Sequence, residues 1–127
     1  MFERLLPVLP VTDVDAEVAF YAALGFTAER THTGFTALQR DSVLFGVQGS
    51  GRRVPPEDLA WQMWVKDVGL VYDLAIQRGL DVVSAPRAHP AGFWIVQLRT
   101  PNGYLLTLEG PEPTSGGGGT RSAAASA

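Results

Sequence analysis

Apolar and polar positions alternate along the chain in a pattern that occurs twice. The stretch VTDVDAEVAFYAALGF, from Val11, aligns without a gap on VKDVGLVYDLAIQRGL, from Val65, at an offset of 54. The copies share Val11/Val65, Asp13/Asp67, Val14/Val68 and Gly25/Gly79, and these are the residues a strand-to-helix unit needs. Each aspartate can cap a helix by accepting from its orphan N–H groups, and each glycine can take the left-handed conformation that ends one. In between, Ala16, Phe20 and Leu24 in the first copy, and Val71, Leu74 and Ala75 in the second, fall on helical spacing.

The segment after each helix also repeats. GFTALQRDSVLFGV from Gly34 and GFWIVQLRTPNGYLLTL from Gly92 each predict two strands around a turn, at Asp41-Ser42 and at Pro101-Asn102-Gly103. Gly34/Gly92, Phe35/Phe93 and Gln39/Gln97 match at a common offset of 58. With one more short strand after each helix, each half becomes βαβββ. GSGRRVPPEDL breaks any regular element and separates a module of about residues 5–50 from one of about 59–110. Together they form one α+β domain over residues 1–110. Residues 111–127, within the ending GPEPTSGGGGTRSAAASA, show no apolar periodicity and are expected to be a flexible tail.

Composition narrows the function classes. With 46% hydrophobic and 18% charged residues the chain is expected to fold, and its net charge of −3 offers no basic footprint for nucleic acid. The lack of cysteine removes disulfide scaffolds, thiolate metal sites and cysteine nucleophiles. No segment approaches the ~20 apolar residues that span a bilayer. The start MFERLLPVLPV reads as a strand rather than a signal peptide, so a cytoplasmic location is expected.

The first strand and helix, LPVLPVTDVDAEVAFYAALGF, the hairpin stretch LQRDSVLFGV and the start of the second module, LAWQMWVKDV, together resemble the glyoxalase/bleomycin resistance protein/dioxygenase (vicinal oxygen chelate) superfamily. Within it they most resemble the bleomycin resistance proteins. The resemblance covers roughly Leu5 to Glu109. It implies that the two modules curl mixed sheets into a cup with helices outside. It also implies a homodimer with drug grooves at the subunit interface and an N-terminal strand exchanged between partners. Pro7 and Pro10 match that strand; prolines that merely discourage sheet extension at an edge are the other reading.

Catalytic members of the superfamily hold a divalent metal with four His, Glu or Gln side chains, from the first and last strands of each module. The corresponding positions here are Leu6, Gly46, Ala60 and Thr107, and neither neighbouring register offers an imidazole or a carboxylate. No metal, cofactor or catalytic residue is therefore expected. His32, in THTGF, and His89, in AHPAGF, are quasi-equivalent and could act as a metal-binding pair or sit on solvent-facing loops. Neither a phosphate-binding glycine loop with a lysine nor a nucleophile elbow occurs.

Strand alternation predicts the lining of the cup. Pairing Arg40 with Val43, and Thr100 with Tyr104, turns inward the aromatic residues Phe35, Trp64 and Phe93, the neutral polar residues Gln39, Gln62, Gln97 and Thr107, and the charged Arg99 and Glu109. Phe20, Phe45 and Trp61 read as core. For Phe35, Trp64 and Phe93, ligand stacking and core packing are both open. Glu109 is the only carboxylate of this inward set, fewer than the acidic grooves of bleomycin binders imply. The expected function is therefore non-catalytic sequestration of an antibiotic with planar aromatic rings, a bleomycin-like glycopeptide or a quinoline or quinoxaline depsipeptide, two molecules per dimer. The alternatives are an isomerase, lyase or tailoring enzyme of the same superfamily, with Glu109 as base, and a regulatory dimer whose cup its own side chains fill.

Overall fold

The computed structural model describes residues 1–113. The first module runs β1 (Val8–Val11), α1 (Val14–Ala23), β2 (Thr27–His32), β3 (Phe35–Arg40) and β4 (Val43–Gly49). After a single 3₁₀ turn at Pro56–Asp58 the second runs β5 (Trp61–Trp64), α2 (Val68–Gln77), β6 (Asp81–Ala88), β7 (Trp94–Arg99) and β8 (Leu105–Gly110). Both are βαβββ, as the repeat predicts, and the class is α+β.

The local signals act as expected. The Asp13 carboxylate accepts from the Ala16 N–H at 3.0 Å, and the Asp67 carboxylate from those of Gly69 and Leu70 at 2.8 and 3.3 Å. Gly25 and Gly79 end the helices at φ of 93° and 70°, where a side chain would be strained. Each module forms a four-stranded mixed sheet, in the orders β1-β4-β3-β2 and β5-β8-β7-β6. The first strand of each module pairs parallel with the last, and the hairpins pair antiparallel in the predicted register, Arg40 with Val43 and Arg99 with Leu105.

Each sheet has one helix and therefore one covered face. Leu38, Phe45 and Val47 are buried with Phe20, Tyr21 and Leu24 of the α1 segment, and Val96, Leu98, Leu106 and Leu108 with Val68 and Ala75 of α2, in one continuous core. The N-terminal strand is shorter than expected. Regular pairing begins only at Val8, and residues 1–6 are exposed, Phe2 completely so. β1 is an edge strand, which accommodates Pro10 opposite Gln48 without loss of a central ladder bond. The expected tail falls mostly on residues 114–127, outside the described residues.

The modules are joined by polar side chains as well as by the core. Asn102, in the β7–β8 turn, reaches the start of α1. Its side-chain oxygen accepts from the Thr12 and Asp13 N–H groups (3.1 and 2.9 Å) and from the Thr12 hydroxyl (3.0 Å). Its amide nitrogen donates to the Asp13 carbonyl (2.9 Å) and to Glu17 Oε1 (2.8 Å), and its backbone N–H donates to the same Glu17 oxygen (3.1 Å). Glu17 is fully buried. The Tyr104 hydroxyl donates to the Pro10 carbonyl and accepts from the Val54 N–H, and Trp61 Nε1 donates to the Tyr21 hydroxyl at 2.9 Å. Burial pushes both phenols above their ordinary pKa, Glu17 adding to the rise and the hydrogen bonds from Trp61 and Val54 opposing it, so both remain protonated.

Replacing Asn102 by Ala strips Glu17 of a donor and the start of α1 of its acceptor. A loss of about 2–4 kcal/mol is expected, because the groups left behind stay buried without partners. Urea unfolding of Asn102→Ala against wild type measures it; an effect below about 1 kcal/mol would contradict the role assigned to this junction.

Candidate ligand-binding faces

The faces of both sheets away from the helices carry the predicted inward residues. On the first sheet Thr27, Glu29 and Thr31 of β2, Phe35, Ala37 and Gln39 of β3, and Leu44 of β4 line a groove of about 400 Å³, together with Arg4 and Leu6 of the N-terminal segment. Small residues meet on this face, Ala37 lying opposite Gly46. A β-carbon at position 46 would lie 2.3 Å from Phe35 Cζ, so the phenyl tip occupies the space that any side chain there would take. His32 stacks on the same phenyl ring, with centroids 5.0 Å apart and planes 21° apart.

The second sheet presents the remaining residues. Gln62 pairs with Thr107 and Trp64 with Glu109 across β5–β8, while Gln97 pairs with Thr107 and Ile95 with Glu109 across β7–β8. The Gln97 amide donates to the Thr107 hydroxyl at 3.3 Å. Trp64 is 62% exposed although it is a large indole, and its ring lies 6.4 Å from that of Phe93 at 60°. His89 stacks on Phe93 with centroids 4.4 Å apart and planes 10° apart. The Arg99 guanidinium turns toward its own hairpin and donates to the Gly103 carbonyl at 3.3 Å.

The structure thus divides the nine predicted residues. Phe35 and Gln39 lie in the groove of the first sheet, and Gln62, Trp64, Phe93, Gln97, Arg99, Thr107 and Glu109 belong to the second module, outside that groove. Trp61, expected in the core, is half-buried and packs edge-on against Phe45. Two charged groove residues are absent from the set that strand alternation predicts: Glu29 and Arg4 line the groove, so Glu109 is not the only acid on the open faces. β2 reads TAERTH and is exposed throughout, so it has no apolar alternation from which its face could be read; the cross-strand pair Glu29–Ala37 sets it.

Solved structures that share this fold include a bleomycin-binding protein complexed with bleomycin, 26% identical, with a TM-score of 0.71 over 87% of this chain and 100% of that one. A bleomycin resistance determinant encoded on the transposon Tn5 is likewise 26% identical, with a TM-score of 0.70 over 87% and 99%. In fold and sequence the chain is similar to bleomycin resistance proteins and to the wider glyoxalase/bleomycin resistance protein/dioxygenase group. A glyoxalase/bleomycin resistance protein/dioxygenase from Alicyclobacillus acidocaldarius shares the fold at 20% identity, with a TM-score of 0.72 over 86% of this chain and 91% of that one. No protein-family model and no curated protein matches the chain.

The residues here do not fit the divalent metal that catalytic members of the superfamily hold. Of the four corresponding positions, Leu6, Gly46, Ala60 and Thr107, only Thr107 bears a polar group, and the space above Gly46 is filled by the Phe35 ring. Among the described residues no three His, Cys, Asp or Glu side chains are grouped so as to hold a metal ion. His32 and His89, the candidate pair, each pack against a phenyl ring of their own module.

The close approach of Phe35 to Gly46 is testable by a double-mutant cycle. Gly46→Ala is expected to cost about 1–2 kcal/mol by displacing the ring, and the same change in a Phe35→Ala background much less, since the clash is gone. Equal costs in both backgrounds, measured by chemical denaturation, would show that the ring does not occupy that space.

Proposed function

We propose that this protein binds a small-molecule antibiotic bearing planar aromatic rings and confers resistance by capturing it reversibly and unchanged in the cytosol. The observation that carries the reading is the groove of the first sheet, in which an aromatic plate, Phe35, stands beside neutral hydrogen-bonding groups, Gln39, Thr27 and Thr31. Flat rings stack on such a plate, while a few fixed polar groups set orientation. The second sheet offers the same chemistry, with Trp64 and Phe93 beside Gln62, Gln97 and Thr107 and with Arg99 and Glu109 at its ends. The bleomycin complex of a 26% identical relative supports drug binding on this fold.

The ligand class is a DNA-active natural product, either a bleomycin-like glycopeptide or a quinoline or quinoxaline depsipeptide. The working unit is a homodimer with two drug molecules, in which the open sheets of two subunits face one another and the N-terminal segment crosses to the partner. Supporting this are the full exposure of Phe2 and the partial exposure of Leu5, Leu6, Val8 and Trp64 in the single chain. Capture needs no catalytic group, metal or cofactor.

Bleomycin A2 and a quinoxaline depsipeptide are the probes to titrate. At least one is expected to quench tryptophan fluorescence, to raise the melting temperature and to be recovered with its mass unchanged. Phe35→Ala is expected to weaken binding about tenfold or more, the loss of a stacking partner together with its buried area. Recovery of a chemically altered drug would favour an enzyme instead, and analytical ultracentrifugation showing a monomer with full affinity would remove the dimer from the reading.

A further inference from the structure

We infer that His32 and His89 are positioning residues, each imidazole backing one phenyl ring, Phe35 or Phe93, so that the ring meets a ligand as a fixed plate. The inference rests on the proposed role of those rings in binding planar drugs. Both stacks arise at the same point of the two modules, the turn that joins the second and third strands, from THTGF in one and AHPAGF in the other. In each the planes are nearly parallel, 21° for His32–Phe35 and 10° for His89–Phe93.

The surrounding backbone holds the imidazoles in different ways. At His32 the β2–β3 register shifts, which brings His32 directly opposite Phe35, and Nδ1 faces the Thr33 carbonyl oxygen at 3.2 Å. At His89 the backbone N–H donates to the Phe93 carbonyl at 2.7 Å, and the Ala91 N–H donates to Nδ1 at 3.0 Å. The Thr33 carbonyl can only accept, so Nδ1 of His32 is the donor in that contact, whereas Nδ1 of His89 accepts a hydrogen bond from Ala91. The two copies have opposite hydrogen-bonding chemistry and the same stack. The shared element is thus the flat ring against the phenyl, and not a proton or a metal bond.

The location of the stacks fits backing rather than contact with ligand. Phe35 lines the groove of the first sheet and His32 does not, while the phenyl tip is stopped by Gly46. One ring face is thus covered and the rim is seated. A half-buried phenylalanine beside a turn, without such support, would sample several rotamers and lose that freedom on binding; a backed one is ordered beforehand.

The test compares wild type with His32→Gln, His32→Tyr, His89→Gln and His89→Tyr. Three-bond couplings report the χ1 rotamers of Phe35 and Phe93 in the free protein, and titration with bleomycin A2 and a quinoxaline depsipeptide reports affinity. The Gln variants are expected to melt within a few degrees of wild type, about what loss of one exposed aromatic pair removes, to show averaged rotamers at the phenyl they back, and to bind about 2- to 10-fold more weakly, the cost of immobilising one side chain on binding. The Tyr variants, which restore a flat ring, are expected to recover both. Single rotamers and full affinity in the Gln variants would overturn the inference, as would affinity lost only in step with melting temperature. If wild type binds neither probe, the proposed function fails, while the rotamers still decide whether the histidines back the phenyls.

Discussion

The contact on which the arrangement of the molecule depends is that of Asn102 with the start of α1. A single turn side chain meets backbone donors at Thr12 and Asp13, the Asp13 carbonyl and Oε1 of a fully buried carboxylate, Glu17, from a position about 90 residues further along the chain. A buried carboxylate is tolerated only where donors converge on it. Here those donors come from the other module, so burying Glu17 requires the modules to meet in one orientation. Tyr104 and Trp61 strengthen the same junction through Pro10, Val54 and Tyr21.

With the modules fixed, the distribution of helices decides what remains open. Each sheet has one helix, and the repeated unit contains no second element to cover the other face. The open faces consequently carry what a covered face could not: a largely exposed indole at Trp64, phenyl rings stacked on histidines, and a row of amides and hydroxyls. At Gly46 the same economy of space excludes a side chain and admits the Phe35 ring.

Much of this is legible in the sequence because the repeat supplies its own control. A cap, an apolar stripe and a glycine stop seen twice at one offset set both helices, and the two turns set the hairpin registers to the residue. The misses have physical causes. Glu17 is an acid inside the apolar stripe of α1, and its burial depends on Asn102, whose role across the junction is invisible in a turn read only as PNG. Glu29 and Arg4 leave no signal because β2 and the N-terminal segment carry no periodicity. The histidine pair stands out by its equivalent placement, but spacing alone does not distinguish a ligand, a loop residue and a stacking partner.

The central claim is that planar drugs lie on the open sheet faces, against the aromatic plates. Chemical-shift mapping with ¹³C-labelled aromatic and methyl groups, during titration with bleomycin A2 and a quinoxaline depsipeptide, tests it most directly. The account predicts saturating shifts at Phe35, Ala37, Leu44, Trp64 and Phe93, with the helix-packed Phe20, Phe45 and Leu98 little changed. Shifts confined to the outer surfaces of α1 and α2, or none with either drug, would contradict it.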